Sequence, residues 1–128
     1  MVSVSISCPV NPSEDPEKVK AAILGIFPAA ELESDGKRFV GSADLDNFSR
    51  LIRRQAILDS ARAALFRGAR GRVAVVHLNK QVASVGKVSF TEPRTVLGTL
   101  EVRIEDDDLE ALINRIAPTT VDGREVRA

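Results

Sequence analysis

The chain has 128 residues, of which 44% are hydrophobic and 28% charged, and its formal net charge at pH 7 is zero. This length and composition are typical of one globular domain with a core of its own. One cysteine excludes an internal disulfide, and no apolar run reaches the roughly 20 residues of a membrane span. Because the N-terminus also lacks the pattern of a signal peptide, we expect a cytoplasmic protein without a membrane partner.

Alternation and capping signals predict a strand and then a helix at the start of the chain. Apolar residues alternate with serine over residues 2–8, which is typical of a strand with one buried face, and Pro9 ends this strand. Ser13 or Asp15 can cap a following helix that has Pro16 in its first turn. The helix has an apolar face at helical spacing, formed by Val19, Ala22, Ile23 and Ile26.

A hairpin and two helices are predicted next. Residues 30–42 form two short β-like runs around Asp35-Gly36, which is a hairpin signal. Over residues 47–67 the apolar positions lie on two helix faces rotated by roughly 120° from one another, and one straight helix cannot bury both in one core. We therefore predict two helices that change over near Arg54-Gln55-Ala56, and Gly68 suits the C-terminal cap of the second.

The remaining chain predicts three strands and a last helix. Val73–Leu78 is a β-branched run, Asn79-Lys80 suits a two-residue turn, and Gln81–Phe90 suits the return strand. Residues 100–105 alternate as a strand does, and Asp106 or Asp107 can cap a final helix. The buried face of that helix is formed by Leu109, Leu112, Ile113 and Ile116.

The predicted order is β-α-β-β-α-α-β-β-β-α. Hairpins combined with long helices indicate an α+β fold of two layers, with one mostly antiparallel sheet and helices on one face. We expect residues 1–118 to form a single domain. Residues 119–128 have little to bury, and we expect them to form a mobile C-terminal tail.

Positive charge is concentrated between Asn47 and Phe90. This stretch contains nine of the eighteen Lys and Arg residues but one of the eighteen acidic residues, Asp59. Proteins that bind nucleic acid cluster Lys and Arg where phosphates can reach them, so RNA binding is one interpretation. The other is a solvated surface that pairs with acids, as in a protein-interaction module or homodimer. Because Trp and Tyr are absent, we expect recognition of RNA backbone and shape rather than stacking on bases.

The sequence nominates no catalytic, metal or cofactor site. His77 has no acid or nucleophile nearby in the chain, and Cys8 alternates with the apolar side of the first strand. The acids at 105–108 suit a helix start better than a cation site. Gly68 to Gly71 has the GxxG spacing of a KH loop. The KH loop joins two helices, whereas here a helix leads into a strand. We therefore interpret Gly68 to Gly71 as the capped end of a helix followed by a flexible turn. We expect a non-catalytic protein without cofactors.

The sequence resembles an uncharacterised archaeal protein family. The segments that carry the resemblance are NPSEDPEKVKAAILGIFP, RRQAILDSAR, HLNKQVASVGKVSF and LGTLEVRI, spread over residues 2–118. The resemblance implies a fold similar to the ribosomal protein that grips 5S RNA, binding of RNA, and a proposed link to the archaeal exosome. It implies no catalytic activity. The polar positions that match these motifs are Arg54, Gln55, Asp59, Arg62, Asn79, Lys80 and Gln81.

Charge and motif together predict one basic RNA-binding surface. It would combine the outer faces of the two central helices, the basic loop after Gly68 and the Asn79-Lys80 turn. The predicted partners are structured or double-stranded RNA and proteins of an RNA-processing complex. The residues predicted to contact RNA are Arg50, Arg53, Arg54, Arg62, Arg70, Arg72, Asn79, Lys80 and Gln81.

Overall fold

A six-stranded antiparallel sheet with helices on one face organises the chain. The structure is a computed structural model that describes residues 2–93, 95, 97–121 and the backbone of 124–125. The strands follow the order β2-β3-β1-β6-β5-β4, and every neighbouring pair is antiparallel. They are β1 (Ser3–Pro9), β2 (Glu31–Ser34), β3 (Arg38–Ser42), β4 (Ala69–Arg70), β5 (Val73–Leu78) and β6 (Leu100–Glu105).

Five helices are described, and they form the second layer. They are α1 (Pro16–Ile26), α2 (Asp46–Arg54), α3 (Leu58–Arg67), α4 (Lys80–Ala83) and α5 (Leu109–Ile116). The predicted α+β class is confirmed, and the predicted order of strands and helices holds when the four-residue helix α4 is set aside. No helix within the described ranges is long and apolar enough to cross a membrane.

The core lies between the sheet and the helices because side chains alternate across each strand. Val4, Ile6 and Cys8 of β1 are buried on the helix side, whereas the serines between them face away from it. Phe27, which follows α1, and Phe48 of α2 are buried in this core and stack with their ring centres 6.0 Å apart. The other face carries the serines of β1, the charged residues of β6 and also Val40, Val73 and Val75, all of them exposed or half-buried.

The predicted change of direction between the central helices is confirmed. α2 ends at Arg54 and α3 begins at Leu58. Between them Ala56 has a φ of 58°, a left-handed conformation that costs a non-glycine residue roughly 1–2 kcal/mol. This turn lets each helix direct its own apolar face into the core, which a continuous helix could not do.

The predicted return strand at Gln81–Phe90 is wrong. Asn79 accepts a hydrogen bond from the Val82 amide through its side chain and caps α4, so the predicted turn is a helix start. In this segment only Phe90 makes a bridge to β5, at Leu78. Short polar side chains favour turns and helix caps alike, and the Asn79 pattern is therefore ambiguous in sequence.

The helix caps are partly as predicted. Asp15 caps α1 through the amide of Glu17. The cap of α5 is Asp108 rather than Asp106 or Asp107.

The C-terminal segment contains two short paired strands, β7 (Thr120–Val121) and β8 (Arg124–Glu125). The Thr120 hydroxyl donates to the Asp59 carboxylate over 2.8 Å. Residues 122–123 and 126–128 of the predicted tail lie outside the described part.

Candidate nucleic-acid interface and the Lys80 network

The structure places the nine predicted RNA-contacting residues in three separate regions. Those of α2 and α3 lie beside α5, Arg70 and Arg72 lie at the turn between β4 and β5, and Asn79 to Gln81 lie beside α1. The residues therefore do not form the single surface that the sequence predicted.

Arg53 and Arg62 are used to hold the end of α5. Arg53 donates to the Arg115 carbonyl over 3.1 Å and also bonds Ser49, while Arg62 donates to the Ala117 carbonyl over 3.2 Å. The last carbonyls of a helix have no partner within it, and cationic side chains stabilise this end. The Arg62 guanidinium also lies 4.9 Å from the centre of the Phe66 ring. Both arginines are half-buried and join helices together.

Arg50 and Arg54 have the outward position predicted for them. They lie one helical turn apart on α2, opposite the buried Phe48 and Ile52, and both are exposed. Arg50 shares a shallow hollow with Arg115 of α5, which is also exposed, and Asp44 and Asp46 line the same hollow. The hollow between α2 and α5 thus presents Arg50 and Arg115 to solvent together with two acids, and Arg54 is exposed one turn further along α2.

Lys87 lies near the C-terminal end of α2. The side chain of Gln55 makes two hydrogen bonds with the backbone of Val88. Gln55 Nε2 donates to the Val88 carbonyl over 2.9 Å, and the Val88 backbone N–H donates to Gln55 Oε1 over 2.6 Å. This pair of bonds joins the neighbours of two exposed cations, since Val88 follows Lys87 and Gln55 follows Arg54. We call Arg50, Arg54, Lys87 and Arg115 the α2 basic surface; sequence reasoning left Lys87 and Arg115 out of the site.

Arg70 and Arg72 lie at the far edge of the sheet and have local partners. Arg70 donates to the carbonyls of Arg67 and Ala69. Arg72 pairs with Asp107 over 3.5 Å, and both side chains are largely exposed. Such an open pair contributes little to stability, but it places an acid beside the cation.

Lys80 is buried, contrary to the prediction that it contacts RNA from a hairpin turn. It is 9% exposed, and its Nζ donates to the Pro9 carbonyl (2.8 Å), to Glu14 Oε1 (2.8 Å) and to the Leu97 carbonyl (2.7 Å). These three acceptors use all the donors of an ammonium group. Lys80 therefore joins β1, the start of α1 and the loop before β6.

Asn11 completes what we call the Lys80 network. Its backbone N–H and its side-chain Nδ2 both donate to Glu14 Oε1, and Nδ2 also donates to the Leu97 carbonyl over 2.7 Å. Burial raises the pKa of the Glu14 carboxyl, but the hydrogen bonds from Lys80 and Asn11 outweigh it and hold that pKa below its usual range. Two of the sequence segments quoted above, NPSEDPEKV and LNKQ, thus meet at this network.

An open cavity of about 770 Å³ lies beside the Lys80 network. Residues from the start of α1, from α4 and from the loop before β6 line it. The lining includes the side chains of Lys18, Val19, Asn79, Gln81, Ser84 and Thr91.

The remaining candidates for chemistry have structural partners. His77 Nδ1 lies 2.8 Å from the Thr99 hydroxyl on the open face of the sheet. Cys8 is buried, and burial raises the pKa of its thiol to about 11, so it is protonated at neutral pH. Within the described residues no group of three or more His, Cys, Asp or Glu side chains is placed to hold a metal ion.

Comparison with known proteins shows relatives that match nearly all of this chain. The UPF0201 protein of Metallosphaera sedula is 35% identical, and the match covers 97% of this chain and 93% of that protein. The chain belongs to the archaeal UPF0201 family. The crystal structure of a UPF0201 protein from Methanococcus jannaschii is 36% identical, with a TM-score of 0.89, and covers 98% of this chain and 99% of that one. No family model matches the sequence.

Another UPF0201 relative is a longer protein. The UPF0200/UPF0201 protein of Archaeoglobus fulgidus is 36% identical over 130 residues. The match covers 98% of this chain, which spans 40% of the length of that relative. The resemblance to an archaeal family is confirmed, whereas the likeness to the ribosomal protein that binds 5S RNA and the link to the exosome stay predictions.

Proposed function

We propose that this UPF0201 protein is a non-catalytic, cytoplasmic RNA-binding protein and that the α2 basic surface contacts the phosphate backbone. One observation carries the proposal: Arg50, Arg54, Lys87 and Arg115 are all exposed, and none has an acidic partner within 4.0 Å among the described residues. Unpaired arginines on an outer helix face are available for forked contacts with phosphate.

The other predicted residues have secondary roles in this proposal. Arg53 and Arg62 hold the end of α5 and so position Arg115. Lys80 joins α4 to Pro9 of β1. Arg70 and Arg72 lie at the other edge of the sheet and do not belong to the contact surface. Four phosphate contacts correspond to a log–log salt slope of about −3 to −4.

Charge reversal tests the contact surface. We expect the double variant Arg54→Glu and Lys87→Glu to bind a structured RNA at least about tenfold more weakly. The log–log salt slope of its binding should be less negative than that of the wild type by about two. Both side chains are exposed, so its thermal melt should match that of the wild type. The control is Lys37→Glu in the exposed turn between β2 and β3. Equal affinities of the wild type and the double variant, measured by fluorescence anisotropy across salt concentrations, would refute the proposal.

A second candidate function is binding to a UPF0200 protein. The observation in its favour is the double name of the Archaeoglobus fulgidus relative, of which this chain matches 40%. Two units joined in one chain have a high effective concentration for one another, which suits partners that associate when separate. Light scattering of this chain mixed with a separate UPF0200 protein tests it. A complex at low salt together with no RNA binding would favour this function over the first, and self-association of this chain alone would indicate a homodimer.

A further inference from the structure

We propose that the cavity beside the Lys80 network receives one unpaired nucleobase of the bound RNA. This inference rests on the RNA binding proposed above and adds to it a site for a base. The cavity volume of about 770 Å³ lies within the range of roughly 300–1,000 Å³ typical of small-ligand sites.

The charge of the lining suits an uncharged group. Two acids, Glu14 and Asp15, and two cations, Lys18 and Lys80, line the cavity. The buried Lys80 is already saturated by its three acceptors. A phosphate inside would have only Lys18 to neutralise it, whereas a nucleobase carries no charge.

Hydrogen-bonding groups and apolar surface are combined as a base requires. The Gln81 amide, Asn79 Nδ2 and the Thr91 hydroxyl have no hydrogen-bond partner within the described part of the protein. No buried side-chain nitrogen or oxygen atom there lacks a partner, so these three groups reach solvent. Val19 and Ala22 form an apolar wall. A base has polar edges and apolar faces, and proteins read unpaired bases by these two features.

The segment that contains α4 connects the cavity to Lys87 of the α2 basic surface. The Lys87 amide donates to the Val82 carbonyl over 3.3 Å, which places Lys87 against α4. Gln81 and Ser84 of that segment line the cavity. An RNA whose phosphates lie along Arg54 and Lys87 can therefore direct an unpaired nucleotide past α4 and into the cavity.

The walls of the site are held in place without a ligand. Lys80 joins three separate segments, and Asn11 fixes Glu14 and the Leu97 carbonyl. A cavity formed in advance loses little conformational entropy when it binds, which favours affinity.

Two RNAs and two variants test the inference. One RNA is a fully paired hairpin, and the other carries a single bulged nucleotide in the same stem. We expect the bulged RNA to bind about tenfold more tightly, as base contacts of this kind typically allow. The variant Ser84→Trp replaces a small side chain of the cavity lining by a large one and should abolish this difference. The control Val85→Trp lies at the next position, is 71% exposed in the wild type and does not line the cavity.

The outcomes separate this inference from the proposed function. A preference for the bulge that Ser84→Trp removes and Val85→Trp retains supports the cavity site. Equal binding of the two RNAs overturns it, even when charge reversal at Arg54 and Lys87 shows that RNA is bound. If neither RNA binds, the proposed function fails, and titration of isotope-labelled protein with the nucleosides adenosine and uridine tests whether the cavity binds a base. Amide shifts at Gln81 and Thr91 would then support a base site, and their absence would overturn it.

Discussion

Replacing Lys80 by methionine tests whether this residue stabilises the fold or contacts RNA. Methionine keeps most of the side-chain volume but removes an ammonium group that makes three hydrogen bonds of 2.7–2.8 Å. Removing one partner of a buried ion pair costs about 3–5 kcal/mol. Glu14 is 15% exposed and keeps its two bonds from Asn11, so we expect a loss near the lower end, about 3 kcal/mol.

Denaturant and thermal unfolding measure this loss. For a chain of this size about 3 kcal/mol lowers Tm by roughly 10 °C. RNA affinity measured well below the melt should equal that of the wild type. Combining Lys80→Met with Glu14→Gln should cost less than the sum of the two changes, because the pair acts as a unit. A Lys80→Met variant that melts like the wild type yet loses RNA affinity would refute the structural assignment.

Two further predictions concern stability. Because the folded Glu14 carboxyl has a pKa below its ordinary 4.5, it holds a proton less tightly than in the unfolded chain; the stability it contributes is present above about pH 4.5 and lost as pH falls below it. Unfolding measured across acid pH should show this loss in the wild type and less of it in Glu14→Gln, and parallel curves would contradict it. Gly68→Ala should destabilise by about 3 kcal/mol or more in urea titration, because an added Cβ would lie 2.1 Å from the Val75 carbonyl oxygen. Gly71→Ala has open space but a φ of 65°, and it should cost only about 1–2 kcal/mol; equal losses would show that the contact at Gly68 is relieved.

Much of the fold follows from local patterns. The β-branched run at Val73–Leu78 and the alternation at residues 100–105 predict strands with the bounds that the structure has, because both signals are properties of consecutive residues. The two helix faces between residues 47 and 67 likewise require a turn near Ala56, and the structure has one. The error at Gln81–Phe90 arises where the local signal fits both a turn and a helix cap.

The candidate site was predicted less well, because exposure of a charged side chain depends on distant neighbours. Sequence alone identifies a basic stretch and places Arg50 and Arg54 on the outer face of a helix. It cannot distinguish Arg54 from Arg53, which bonds a carbonyl 62 residues away. It also misses Lys87. The position of Lys87 near the end of α2 depends on two hydrogen bonds between Gln55 and Val88, which are 33 residues apart.

The sequence by itself thus determined the α+β class, most element bounds and the concentration of positive charge, since these depend on composition and short-range periodicity. Tertiary structure alone decided which cations remain free. Lys80 shows the reason most clearly: the atoms that accept its hydrogen bonds come from Pro9, Glu14 and Leu97, up to 71 residues away. Three acceptors gathered from separate segments offset the cost of burying an ammonium group. No pattern around residue 80 contains that arrangement, and only the folded chain brings it together.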